Sequence, residues 1–250
     1  MLQPLDVSSV EQMLQVTASL PSGRSASLSI QRASTVGDLK MMVQESLGTL
    51  FLRLVTSAGR KLNPSESLEA AGLQDGDQLT AVVVEPKLAA TQTAFALWCC
   101  GGDRVLAWGD PGSGGDSSAV HDQLKSVRQV QASSQAFAAI LEDGSVVTWG
   151  NPKAGGDSSA VHDQLKSVRQ VQANLFAFAA ILEDGSVVTW GNPETGGDCS
   201  AVHDQLKSVP QVQANRFAFA AILEDGSVVA WGLPDRGGDS SAVQDQLKSL

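Results

Sequence analysis

The chain has 250 residues, 42% of them hydrophobic, and a formal charge of −10, so it carries enough apolar material for a packed core. Six Lys and Arg stand against nine Asp and Glu up to Pro86, and eleven against eighteen beyond it, which leaves both halves acidic at −3 and −7. That balance, without a cluster of five basic residues, excludes a phosphate-backbone footprint and predicts no nucleic-acid binding. Apolar runs such as Leu79–Val84 are far too short to span a bilayer, and Met1–Asp6 has no basic region of a secretion signal; no membrane association is expected. The three cysteines, Cys99, Cys100 and Cys199, lack both a disulfide framework and the two-residue spacer of a zinc site. They are expected as thiols in a reducing compartment, which places the protein inside the cell, in cytoplasm or nucleus, with no metal and no cofactor.

In chain order, residues 1–12 read as an N-terminal extension. Gln15–Leu20 and Ser25–Ile30 alternate around the turn Pro21-Ser-Gly-Arg24 and predict a β-hairpin. Ser34 and Thr35 then offer a helix cap, and Val36, Leu39, Val43 and Leu47 recur at helical spacing up to Gly48, a natural stop. Leu52–Thr56 predicts another strand, Ala58–Leu62 a tight turn into a short strand, Leu68–Gly72 a short helical turn, and Gln78–Val83 a closing strand.

Leu14-Gln-Val16, Ser34-Thr-Val-Gly-Asp-Leu-Lys40, Arg53-Leu-Val55, Ala58-Gly-Arg-Lys-Leu62 and Leu73-Gln-Asp-Gly-Asp-Gln-Leu79 occur in an order and spacing that resembles the ubiquitin family. The resemblance covers residues 13–86 and implies an α+β ubiquitin-like β-grasp domain. Conjugated members of that family end in a mobile Arg-rich diglycine tail, whereas this chain reads Val82-Val-Val-Glu-Pro86 and continues. The resemblance therefore implies a built-in domain, not a modifier. It also implies recognition through an apolar patch on the sheet face, carried over here to Pro21, Val55 and Val82 and bordered by Arg53 and Arg60; an ordinary sheet surface is the alternative.

Residues 87–93 read as a linker, and residues 94–250 as a tandem array. Trp108-Gly109, Trp149-Gly150, Trp190-Gly191 and Trp231-Gly232 repeat every 41 residues, a period that marks a repeat architecture. Within a unit, Phe137–Leu141 and Ser145–Trp149 flank Glu142-Asp-Gly144 and predict a hairpin. Val127–Ala132 reads as a preceding strand, and Gly114–Ser126 as a loop with a short helix capped by Asp116 or Ser117, presenting Val120, Leu124 and Val127 on one face. The segment Asp143-Gly-x-Val-x-x-Trp-Gly150 and its copies resemble the regulator-of-chromosome-condensation repeat, a β-propeller family. That resemblance implies mainly-β blades, here shortened. About three and a half units are counted, the first degenerate and the last truncated, too few to close a ring. An incomplete propeller-like array and an open solenoid are both consistent with this count, and unpaired ends would favour self-association.

Several residues invite a chemical role. His121, His162 and His203 recur in phase, but Gln244 takes that place in the fourth copy and exposed, widely spaced histidines make poor ligands. Gly114-Gly-Asp116 and its copies lack both the nine-residue period of a calcium repeat and the lysine of a phosphate loop, and turn formation accounts for them. Phe137, Trp149, Phe178, Trp190, Phe219 and Trp231 are expected as core between units. No nucleophile, base and orienter stand out from the repeated background. The reading is a non-catalytic scaffold or adaptor whose ubiquitin-like domain docks ubiquitin-pathway proteins while the repeats hold another protein. The alternatives are a fragment or relative of a repeat-containing ubiquitin ligase and a small-GTPase nucleotide-exchange regulator; the latter rests on analogy with the propeller family alone.

Overall fold

A computed structural model describes residues 13–100 and 104–247; the expected extension at 1–12 lies outside them. The chain divides into two compact units between Glu85 and Pro86.

In the first unit, β1 (Met13–Ser19) and β2 (Ser25–Gln31) pair antiparallel, from Met13 opposite Gln31 to Ser19 opposite Ser25. Helix α1 (Val36–Leu47) follows, then β3 (Leu52–Thr56) and β4 (Asp77–Val83). The sheet order is β2-β1-β4-β3, with β1 and β4 parallel and the outer pairs antiparallel. Thr35 starts the helix through a reciprocal cap: its hydroxyl accepts from the Asp38 amide, and the Asp38 carboxylate accepts from the Thr35 amide. Gly48 ends it at φ 60, the left-handed conformation that glycine adopts without a Cβ penalty. Val36, Leu39, Val43 and Leu47 form the buried stripe, packed with Leu14, Val16, Leu28, Ile30, Leu54 and Leu79 of the sheet. The tight turn expected at Ala58–Leu62 leads not into a named strand but into a single bridge, Lys61 to Val55, flanked by hydrogen bonds from the Thr56 amide to the Arg60 carbonyl and from the Leu62 amide to the Leu54 carbonyl. Leu68–Gly72 is a run of turns.

The second unit is four three-stranded antiparallel sheets. The first is β5 (Pro86–Ala90), β6 (Ala94–Cys99) and β7 (Val105–Gly109). The second is β8 (Val127–Ala132), β9 (Ala136–Leu141) and β10 (Val146–Gly150). The third is β11 (Val168–Ala173), β12 (Ala177–Leu182) and β13 (Val187–Gly191), and the fourth β14 (Gln211–Ala214), β15 (Ala218–Ile222) and β16 (Val228–Gly232). The stretch 87–93, read as a linker, is instead mostly strand: Pro86 to Ala90 pairs with Cys99 to Phe95. Its small, Pro-led sequence conceals this, since proline is tolerated at the start of an edge strand. Among the described residues the second unit therefore begins at Pro86 and comprises four three-stranded sheets, against the expected three and a half units. The sheets form no closed propeller.

The β9–β10, β12–β13 and β15–β16 hairpins turn on glycines with positive φ, Gly144 (φ 80), Gly185 (φ 81) and Gly226 (φ 82), while the preceding aspartate carboxylate accepts from the amide and hydroxyl of the following serine. The expected short helix before a sheet is of 3-10 type, Ser118–Val120 in the first copy, Ser159–Gln164 in the second and His203–Gln205 in the third. Ser117 makes no side-chain cap there, and the Asp116 carboxylate accepts from the Ser118 amide two residues on. The chain then enters β8 through Ser126 in the left-handed region (φ 53), and in the next copy Ser167 takes the same conformation (φ 54) after a six-residue 3-10 helix, Ser159–Gln164.

Successive sheets stack through apolar faces. Ala136, Ala138, Ile140 and Val146 of the second sheet pack against Val171, Phe178, Ala180, Val188 and Trp190 of the third, and the same set recurs at the junctions before and after. All six aromatic residues expected as core are buried. Phe137 stacks on Trp149 at 5.0 Å, Phe178 on Trp190 at 5.2 Å and Phe219 on Trp231 at 5.4 Å.

Candidate docking face

The face of the first unit opposite α1 is built by strand alternation. From β2 and β1 it receives Ser25, Ser27, Ser29, Met13, Gln15 and Thr17, and from β4 and β3 Gln78, Thr80, Val82, Arg53 and Val55. Its two halves differ chemically. On the β1–β2 half, Gln15 donates to the Ser29 hydroxyl at 2.9 Å and the Thr17 and Ser27 hydroxyls pair at 3.1 Å. On the β3–β4 half, Arg53 lies opposite Val82, and Val55 opposite Thr80, so an aliphatic pair and a cation share adjacent rungs.

Arg53 and Val55 are half-buried and Val82 is exposed; the register brings these three residues together. Pro21 is exposed in the β1–β2 turn. Because Ser19 lies level with Thr80 in the parallel β1–β4 pair, that turn leaves the sheet at the height of Val82. Arg60 is held differently: its guanidinium donates to the Ala71 carbonyl and pairs with Glu66 at 3.8 Å. It braces the loop over which it lies, a tertiary tie that local sequence spacing does not reveal.

The aspartates with lowered pKa all sit in caps and turns. Thr35 hydrogen bonds lower Asp38, those of Ser145, Ser186 and Ser227 lower Asp143, Asp184 and Asp225, and those of Ser118, Ser159 and Ser241 lower Asp116, Asp157 and Asp239. Burial pushes the Cys199 thiol up. His121, His162 and His203 are exposed, and among the described residues no group of three His, Cys, Asp or Glu is placed to hold a metal ion. No described helix is long and apolar enough to cross a membrane.

A second surface was not singled out by the sequence reading. The first sheet of the array turns Leu88, Phe95, Leu106 and Trp108 outward, with Phe95 stacked on Trp108 at 5.4 Å. These are the first copies of positions that every later sheet buries, so the signal that could have found them is the repeat alignment combined with the absence of an earlier sheet.

No protein-family model matches the chain, and no curated protein matches it. Among solved structures it is similar to the ubiquitin-like domain of Plasmodium falciparum Dsk2, with 26% identity and a TM-score of 0.27 over 29% of this chain and 99% of that one. It is also similar to a ubiquitin of Caldiarchaeum subterraneum, with 23% identity and a TM-score of 0.28 over 30% of this chain and 96% of that one. A third is the ubiquitin-like domain of an Arabidopsis thaliana protein, with 19% identity and a TM-score of 0.28 over 32% of this chain and 87% of that one.

Proposed function

We propose that this chain is a non-catalytic intracellular adaptor. Its ubiquitin-like β-grasp unit docks a ubiquitin-pathway protein through Arg53, Val55 and Val82, with Pro21 at the rim, and its shortened regulator-of-chromosome-condensation-type repeats hold a second protein. The observation that carries this reading is the division of the outer sheet face. Hydroxyl and amide groups satisfy one another on the β1–β2 half, whereas the β3–β4 half presents aliphatic side chains beside a guanidinium, the composition that protein interfaces favour at their centres. A non-catalytic role is supported by the confinement of lowered carboxylate pKa values to caps and turns, where hydrogen bonds from neighbouring serine or threonine hydroxyls and backbone amides account for each.

The test is capture of the chain by immobilised, purified ubiquitin-binding domains, with Val55→Asp and Ser27→Asp compared with the unmodified protein. Val55→Asp abolishes capture and Ser27→Asp, on the polar half, preserves it. Equal recovery of all three would sink the docking claim.

A further inference from the structure

The four sheets of the array make three interior junctions of one design, and the two faces left over at its ends are the two halves of a fourth. On the entry side of a sheet, Val171, Phe178, Val188 and Trp190 are at most 7% exposed. Their counterparts in the first sheet, matched through the pairings Ala173–Phe178 and Phe178–Trp190 against Ala90–Phe95 and Phe95–Trp108, are Leu88, Phe95, Leu106 and Trp108. These are exposed by 56%, 42%, 57% and 46%. On the exit side, Ile140 and Ile181 are fully buried, while their fourth-sheet counterpart Ile222 is 43% exposed.

The junctions are also joined by a repeated hydrogen bond and a repeated steric fit. Trp149, Trp190 and Trp231 donate through Nε1 to the carbonyls of Gly114, Gly155 and Gly196, in the turn that follows the preceding sheet, at 3.0, 3.0 and 3.1 Å. A Cβ on those glycines would stand 2.6, 2.4 and 2.7 Å from the ring of Phe137, Phe178 or Phe219 in the next sheet. The donor series has one earlier member, Trp108, and the acceptor series one later member, Gly237. The Gly237 turn keeps the shape of the others (φ 96, its amide donating to the Pro234 carbonyl at 3.2 Å), yet a Cβ there would meet no ring, only Asn215 Nδ2 at 3.0 Å.

We propose that copies of this chain associate head to tail, the Phe95–Trp108 face of one copy seating on the Ile222–Gly237 face of the next and reproducing the interior junction. The occupant follows from the interior of the same array, where this face receives this partner face three times. Two departures make the new junction weaker than an interior one. Pro210 replaces Arg128 and Arg169, whose guanidinium groups donate to the next sheet's carbonyls, and Arg236 replaces the buried Ser113, Ala154 and Thr195. The association is therefore concentration-dependent. Because a head-to-tail contact is heterologous, it produces rings or open chains and not a two-fold dimer.

The experiment is sedimentation equilibrium of the 250-residue chain, alone and as Trp108→Glu, Ile222→Glu and their equimolar mixture. The unmodified chain gives an average mass that climbs above 26.0 kDa with concentration, and each variant alone stays at the single-chain mass. The mixture, which retains one good face on each partner, forms pairs and nothing larger. A single-chain mass for the unmodified protein at every concentration overturns the proposal, as does undiminished association of either variant or failure of the mixture to pair. Val55→Asp leaves the association unchanged, which separates this result from the docking test; unchanged urea midpoints for the two array variants show that they fold.

Discussion

Gly185→Ala and Gly226→Ala place the same substitution in the same ten-residue context, Ala-Ala-Ile-Leu-Glu-Asp-Gly-Ser-Val-Val, and at the same backbone angle, φ 81 and 82. The penalty for a Cβ in the left-handed region, roughly 1–2 kcal/mol, is therefore common to both. What differs is the neighbour. At Gly185 the new Cβ would stand 2.7 Å from Ser208 Cα and 3.0 Å from Val209 N, backbone atoms of the segment entering the next sheet, whereas at Gly226 nothing lies within 4 Å. Overpacking against backbone adds about 1–3 kcal/mol, and the clash falls where Val209 donates to the Gly185 carbonyl at 2.8 Å. Gly185→Ala thus costs about 2–5 kcal/mol in total and Gly226→Ala only the first part. Each 1.4 kcal/mol of the difference is about tenfold in the unfolding equilibrium. Urea unfolding followed by tryptophan fluorescence reads this directly, because all five tryptophans lie in the array. Gly144→Ala, whose Cβ would be 2.8 Å from Ser167 Cα, behaves like Gly185→Ala. Equal losses at Gly185 and Gly226 would refute the stacking of one hairpin turn against the next sheet.

Trp190→Phe keeps a ring beside Phe178 but leaves the Gly155 carbonyl without its 3.0 Å donor; it costs about 1–3 kcal/mol in the same urea assay, and Trp108→Phe at the exposed end costs far less. The turn aspartates Asp143, Asp184 and Asp225 sit below their ordinary pKa of 3.8 because Ser145, Ser186 and Ser227 donate to them. Their stabilisation is complete above the unfolded-state value and lost as pH falls through the lower folded-state value. The urea midpoint is accordingly flat in this contribution above pH 5 and drops below about pH 4; Ser145→Ala, Ser186→Ala and Ser227→Ala together flatten the drop. Burial pushes the Cys199 thiol up, so it reacts with a disulfide reagent at mildly alkaline pH more slowly than the half-buried Cys99 and Cys100, measured as a slow phase that Cys199→Ser removes.

The features legible in the sequence are those set by short-range chemistry. Thr35 and Asp38, the spacing of Val36, Leu39, Val43 and Leu47, and Gly48 determine α1 within one stretch of chain, and the structure places its ends there. Asp143-Gly144 and the flanking apolar runs determine the β9–β10 hairpin in the same way. β5 escaped because Pro86-Lys-Leu-Ala-Ala90 has no strong pattern of its own and becomes a strand only by pairing with Phe95–Cys99. The segment at Ser118 has helical spacing and is helical, of 3-10 type, with the Asp116 carboxylate accepting from the Ser118 amide at its start. On the candidate docking face, Arg53, Val55 and Val82 follow from the resemblance to the ubiquitin family, and the β3–β4 register brings them to one side. The tie of Arg60 to Ala71 and Glu66 depends on a loop brought back by the fold. The end faces of the array were hidden for the opposite reason: Phe95 and Trp108 are the residue types that every unit buries, and only the lack of a preceding sheet exposes them.

Amide chemical-shift mapping of the isotopically labelled chain, titrated with a purified ubiquitin-binding domain, tests the docking account most directly. It predicts shifts concentrated at Arg53, Val55, Thr80 and Val82, with α1 and Ser25–Gln31 unmoved. An unchanged spectrum, or shifts centred on α1 or on the polar β1–β2 half, would contradict it.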